Sequence, residues 1–265
     1  TRPGAFTRLA PPWQPVRVLS ESASLRDGVA VLALPAGLRW HARHDPRAYR
    51  APHRFADELV SWPLRLLLPW RHEHNFRAHG AARTLVTDRV ATSAPAALLR
   101  PMFTYRHRQL ADDLASHQWA LRHRAAPLTV GITGPVGPLS SALAAFLTTG
   151  GHQVVRLVPR PEGPGERHWN PDRPDAGLLR GLDAVLHLDT GDAGSTRRLA
   201  ALTARTTPGP DVLVVASSTA LYADAEVLTE DSAAGTSPDA VAIRRREDAT
   251  APALDAGVRV VCVRT

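Results

Sequence analysis

The 265-residue chain contains no lysine: all 32 of its basic residues are arginine. Every mechanism that requires a lysine amine is thereby excluded, including the ammonium that supports a catalytic phenol. There is one cysteine, Cys262, so no internal disulfide can form, and this usage fits a reducing, cytoplasmic location. No apolar run approaches the roughly 18 residues of a membrane span. The longest, Leu64 to Trp70, is broken by Arg65 and Pro69. Residues 1–13 hold no continuous apolar core of the signal-peptide kind, and no membrane partner is expected.

What is present suits two small domains. Hydrophobic content of 44% is enough for packed cores, and 22% charge is ordinary. The net charge of +7 and the pI near 10.9 invite a nucleic-acid reading. The arginines, however, are interleaved with Asp and Glu and form no stripe, so a solvated surface is the expectation and nucleic acid is not an expected partner. The richness in Ala, Pro and Arg reads as the background of a GC-rich bacterial gene.

The chain is organised around Leu128 to Arg160. An apolar run (Leu128, Val130, Ile132) meets Gly134, with Gly137 three residues later and Ser140 three after that. Ser141 to Leu147 reads as a helix, Gly150-Gly151 ends it, and Val154 to Val158 reads as a second strand. Strand, glycine turn, helix, strand is the βαβ unit of a dinucleotide-binding fold, in which backbone N–H groups at a helix N-terminus favour a pyrophosphate. Farther on, Ala184 to Leu188, Val212 to Ala216 and Val258 to Val263 read as buried strands. They are separated by helices over Thr196 to Ala204 and Ser237 to Ala256, with Pro159 to Pro174 irregular. Near-continuous Val/Leu runs between helices predict a doubly wound parallel sheet.

The first half reads differently. Val16 to Ser22, Gly28 to Leu34, Leu38 to His44, His53 to Leu59, Trp70 to Ala78 and Thr84 to Thr92 have strand character and are separated by turn signals. A helix follows from Ala96 to about Arg122, with Leu99, Phe103, Leu110, Leu114 and Leu121 on its apolar face. An antiparallel meander closed by one long helix is an α+β layout. His72 and His74 share a strand face, which makes H-x-H a metal-pair alternative, with His53 or Asp88 as a third ligand; half-buried strand histidines are the blander reading, and no metal is expected. Trp13, Trp40, Trp62 and Trp70 line a pocket or fill a small core.

The runs Leu9-Ala-Pro-Pro-Trp-Gln-Pro-Val16, Ser24-Leu-Arg-Asp-Gly28 and Leu99-Arg-Pro-Met-Phe-Thr-Tyr-Arg-His-Arg-Gln-Leu-Ala-Asp-Asp-Leu114 resemble actinobacterial fusion proteins. These join an SRPBCC (START-like, cyclase/dehydrase) domain to an atypical extended short-chain dehydrogenase/reductase of the epimerase/dehydratase-like group. The resemblance spans nearly the whole chain. It implies a helix-grip domain with an apolar cavity over residues 1–124, a linker at His123 to Pro127, and a Rossmann-type NAD(P)-binding domain over 127–265. It also implies that the chain is truncated at both ends and lacks the substrate lobe.

Taken residue by residue, the resemblance carries over in part. Thr133, Gly134 and Gly137 match the start of TGxxGxxG, and Ser140 stands at the third glycine. Pro138 removes an N–H that would face the pyrophosphate. Arg160 is placed to pair with an adenosine 2′-phosphate, which points to NADP. His187 opens the segment equivalent to HLAG, where Asp189 brings an unfavourable carboxylate. Ser218 and Tyr222, within Ser217-Ser218-Thr219-Ala220-Leu221-Tyr222, match the catalytic segment, but the helix after Ser237 has neither Tyr nor Lys. Two readings stay open. One is an NAD(P)-dependent epimerase/reductase-like enzyme on a small carbonyl or sugar-nucleotide substrate, with NADPH bound weakly or not at all. The other is an inactive binding or scaffold protein that holds an apolar ligand; a partial gene product is a third account.

Overall fold

Alternating side chains between turn residues produce six antiparallel strands in the first half. In the computed structural model, which describes residues 2–81, 83–123, 126–224 and 227–265, the chain divides into units Thr1–His123 and Arg124–Thr265. The first unit begins with a short helix, α1 (Ala5–Leu9). Strands β1 (Arg17–Ser20), β2 (Val29–Ala33), β3 (Arg39–His44), β4 (Arg54–Leu59), β5 (Trp70–Ala78) and β6 (Thr84–Thr92) follow in sequential order in one sheet. A single turn, α2 (Leu64–Leu67), links β4 to β5, and α3 (Ala96–His123) closes the unit.

The period-2 pattern sorts the two sheet faces. On one face Phe55 stacks on His74 at 4.2 Å, and Trp40 meets Trp70 edge-on at 5.3 Å. That face turns towards α3, because His72 contacts the Phe103 ring at 5.3 Å. The opposite face carries ion pairs: Arg54 with Glu73 at 2.8 Å, and Arg71 with Asp45 at 3.0 Å and with Glu58. Arg8 of α1 forks onto Asp113 of α3 through bonds of 2.8 and 2.6 Å, with Gln109 as a further donor. Asp113 and Met102 are the buried residues of α3.

The expected apolar face of α3 is covered along only part of its length. Leu114 is 50% exposed and Leu121 62%. A 28-residue helix is about 42 Å long, whereas a nine-residue strand spans about 30 Å and six strands span about 24 Å. The helix therefore outruns its sheet. Trp13 and Trp62 lie on the surface and fill no core; Trp62 borders an open pocket with Leu38, His41 and Ser61. A cavity of about 270 Å³ lies between β6 and α3. Val90, Ala96, Leu99 and Phe103 line it together with the charged Asp88 and Arg100, so it is mixed rather than apolar.

In the second unit, β7 (Thr129–Thr133), β8 (Gln153–Val158), β9 (Glu166–His168), β10 (Ala184–His187), β11 (Val212–Ser217) and β12 (Arg259–Arg264) form one parallel sheet. Its order is β12-β11-β10-β7-β8-β9, with flanking helices α4 (Pro138–Thr149), α5 (Ala193–Arg205), α6 (Pro238–Asp248) and α7 (Ala251–Asp255). This is a Rossmann-type fold, in which chain order reverses between β7 and β10 and opens a crevice at the strand ends. Leu157, Leu179, Val185, Leu199, Leu213 and Val215 form its dry centre.

Two local expectations need correction. β9 lies inside the stretch expected to be irregular, pairing three residues with β8. The single helix expected over Ser237 to Ala256 is two, because Pro252 has no N–H for the carbonyl four residues back and its ring clashes there. Of the expected linker, residues 124 and 125 lie outside the described residues. Among the described residues no helix is long and apolar enough to cross a membrane.

Candidate functional site at the strand ends of the second unit

The turn after β7 is shaped by two glycines with different duties. Gly134 has φ +108°, and a Cβ there would sit 2.8 Å from the Leu188 carbonyl carbon and 2.9 Å from the Asp189 nitrogen. The approach of this turn to the end of β10 therefore requires glycine. Gly137 has φ −161°, which any residue adopts, and nothing lies within 4 Å of the position its Cβ would take. The chain's own packing does not need glycine there, and its absent side chain leaves bare backbone at the N-terminus of α4.

Part of the donor set at this terminus is already used. The Gly137 N–H donates to Ser140 Oγ at 3.0 Å, and that hydroxyl faces the Pro135 and Gly137 carbonyls at 3.0 and 3.1 Å. Ser140 is buried, and its hydroxyl closes the turn on itself. Pro138 occupies the first helical turn, where proline is well tolerated but offers no donor. The open donors are the first-turn N–H groups of Leu139 and Ser140, which have no intrahelical acceptor. The Arg156 guanidinium of β8 reaches the Ser140 carbonyl at 3.2 Å, and burial pushes this arginine below its ordinary value. Arg160 lies beyond β8, exposed and in no ion pair with a described residue.

Beneath the turn, Thr133 and His187 face inward and meet each other. Thr133 Oγ1 lies 2.6 Å from His187 Nδ1, and Thr196 Oγ1 lies 3.1 Å from His187 Nε2. Thr133 and His187 have no exposed surface and form the floor of the crevice rather than its lining. Burial lowers the His187 pKa to about 4, outweighing the opposing pull of Asp189, while Arg246 acts in the same direction as burial. Asp189 bends into its own loop and accepts from the Gly191 N–H at 3.0 Å. The buried Arg246 of α6 donates to the Thr190 carbonyl at 2.6 Å, tying that helix to the same loop.

At the ends of β11 and β12 a second polar group forms. Ser217 Oγ donates to Glu247 Oε1 at 2.5 Å, and Arg264 forks onto the Glu247 carboxylate at 2.9 and 2.7 Å. Arg264 also donates to the Tyr222 hydroxyl at 2.7 Å. The Arg264 bond, followed by the bond from Ser217, holds the Glu247 carboxyl below its ordinary value. Ser218, the serine singled out by spacing, accepts from the Ala220 N–H at 3.3 Å and caps a 3₁₀ turn.

The structure thus gathers Gly134, Gly137 and Ser140 at one turn, sets Thr133 and His187 beneath it, and joins Tyr222 to a cluster that includes Ser217 but not Ser218. Arg156, Ser217, Glu247 and Arg264 escaped sequence reasoning. Arg156 interrupts an apolar strand, a signal that was legible, whereas the Glu247–Arg264 pair joins residues 17 apart with no shared motif.

No protein-family model matches the chain. An epimerase family protein of Mycobacterium leprae is 33% identical over 157 residues, covering 51% of this chain and 51% of that protein. An epimerase family protein of Mycobacterium bovis is 34% identical over 157 residues, covering 51% of this chain and 52% of that protein. The chain spans about half the length of these curated relatives. The crystal structure of the nucleoside-diphosphate sugar epimerase from Corynebacterium glutamicum superposes with a TM-score of 0.91 at 39% identity, over 100% of this chain and 61% of that one. The chain carries an epimerase-like domain. Its Rossmann-type sheet carries the glycine turn at the switch point.

Proposed function

We propose that the epimerase-like domain binds a nicotinamide dinucleotide, with NADP preferred, as an NAD(P)-dependent epimerase or reductase on a small carbonyl or sugar-nucleotide substrate. The observation that carries this reading is Gly137: a glycine that neither its φ nor its packing demands, at the N-terminus of the helix bordering the switch point. Such a cofactor supplies or accepts a hydride. Gly134, Gly137 and the N–H groups of Leu139 and Ser140 would cradle its diphosphate, Thr133 and His187 would support that cradle from below, and Arg160 and Arg156 would face a ribose phosphate. Tyr222, bonded to a fixed cation, and Ser218, on the adjoining 3₁₀ turn, are the candidate acid/base and substrate-positioning groups.

The donors withdrawn by Pro138 and Ser140 make the affinity modest. NADPH fluorescence is expected to saturate in the tens to hundreds of micromolar. Gly137→Val abolishes that binding, and Arg160→Glu weakens NADPH by about tenfold while leaving NADH within about twofold, roughly the value of one exposed charge-assisted contact. Absence of saturable binding by the wild-type protein overturns the reading.

For the first unit, an SRPBCC/START-like helix-grip domain that holds a small amphipathic molecule is the reading favoured by the cavity between β6 and α3. That reading also serves the alternative in which the whole chain is a binding or scaffold protein. A lipophilic dye is expected to fluoresce on binding there and to lose signal in Leu99→Trp, which fills the cavity. An unchanged signal in that variant locates the dye elsewhere and removes the support.

A further inference from the structure

The sheet of the first unit holds two imidazoles between two carboxylates on the face turned to α3. His72 and His74 stand two apart on β5 and so project to one side. Asp57 of β4 pairs directly opposite His72, and Asp88 of β6 directly opposite His74. Strand register alone therefore brings four metal-ligating side chains together. Their side chains are between 5% and 15% exposed.

The two ends of this group differ in kind. At one end, Asp57 Oδ2 lies 3.9 Å from His72 Nδ1 and 3.8 Å from His74 Nε2, too far for hydrogen bonds. Donor atoms about 3.3 Å apart are what tetrahedral bonds of 2.0–2.1 Å produce, so these three atoms, all within 4.8 Å of one another, stand open around a point that a metal would fill. At the other end, Asp88 Oδ1 lies 3.2 Å from His72 Nε2 and 2.8 Å from His74 Nδ1, while its second oxygen meets His107 Nε2 of α3 at 2.5 Å. A carboxylate on the far nitrogen of a ligating histidine is the usual way of fixing such a ring.

The protein by itself leaves the group unsatisfied. At the metal end, among the described residues no hydrogen bond is donated to the Asp57 carboxylate; at the Asp88 end, His72 Nε2 and Asp88 Oδ1 are buried 3.2 Å apart without the alignment of a hydrogen bond. Arg106 of α3 is the fixed cation nearby; both carboxylates act on it, but it forms no ion pair with either.

We propose that Asp57, His72 and His74 bind one divalent transition-metal ion of the Zn²⁺ class, with Asp88 as the positioning carboxylate that orients both rings. Two imidazoles and one carboxylate suit Zn²⁺ and its neighbours and leave a coordination position open, whereas Mg²⁺ and Ca²⁺ prefer all-oxygen cages. The cavity between β6 and α3 reaches Asp88, at the end of the group away from Asp57. The exposed His53 is not part of the group. This inference stands independently of nucleotide binding in the second unit.

The test uses the whole protein after removal of metal with EDTA. Titration with Zn²⁺ is expected to show about one tight equivalent, a raised melting temperature, and, with Co²⁺ as a substitute, the visible absorption of a low-coordinate ion. His74→Gln and Asp57→Asn lose this equivalent, Asp88→Asn weakens it about 10- to 100-fold while keeping the Co²⁺ spectrum, and His53→Gln leaves it unchanged. A wild-type protein that takes up no stoichiometric Zn²⁺ overturns the proposal whatever the variants do. So does equal binding by folded His74→Gln, since the ion then sits elsewhere.

Discussion

Acidification from about pH 7.5 to about pH 3 is expected to remove about 3 kcal/mol of stability from the second unit, with His187 as the source. The imidazole is fully buried between Thr133 and Thr196, and its folded pKa falls from 6.5 to about 4. Between those values the unfolded chain binds a proton that the folded chain refuses, so stability rises with pH across this window. A gap of about 2.5 pK units corresponds to about 3 kcal/mol, reached in full only below pH 4. Amide exchange in β7 and β10 reports the unit directly, without assuming that the two units unfold together. His187→Gln keeps hydrogen bonding to the two threonines and removes the titration, so exchange in those strands loses its pH-dependent excess over the intrinsic rate. If that excess persists in the variant, His187 is not the cause.

Gly134→Ala is expected to destabilise the same unit by about 3 kcal/mol. The left-handed φ of +108° costs an alanine about 1–2 kcal/mol, and the added Cβ meets backbone atoms of Leu188 and Asp189 at 2.8–2.9 Å, where no side chain can swing aside. Overpacking of that kind adds about 1–3 kcal/mol. Gly137→Ala, three residues on, is expected to cost less than about 1 kcal/mol, because its φ is ordinary and its surroundings are open. The two glycines thus separate what holds the fold from what leaves the helix terminus bare. Thermal unfolding of both variants checks the contrast, and equal losses would show that position 134 is not a packing site.

The glycine turn, both of its strands, the meander and the closing helix were legible because each depends on local chemistry: period-2 or near-continuous apolar runs bounded by Gly, Pro and Asp. Leu114 and Leu121 were misassigned to a covered face because the periodicity of a helix does not state the size of the sheet beneath it. Spacing gives the positions of Ser217 and Ser218 along the chain but not which hydroxyl turns to Glu247, which is that of Ser217. Glu247 reaches across to Ser217 and Arg264 only when α6 lies against β11 and β12.

The histidine pair shows the division most clearly. Its placement on one strand face followed from the numbers 72 and 74 alone. That Asp57 rather than His53 completes the triad, and that Asp88 stands behind the rings, depends on the register of β4 and β6 against β5. Sequence by itself determined the two chain halves, the order of their main strands and the bare turn after β7, but not β9 or the break between α6 and α7. Tertiary structure decided which polar atoms meet, because cross-strand register and helix docking couple residues that no local pattern relates.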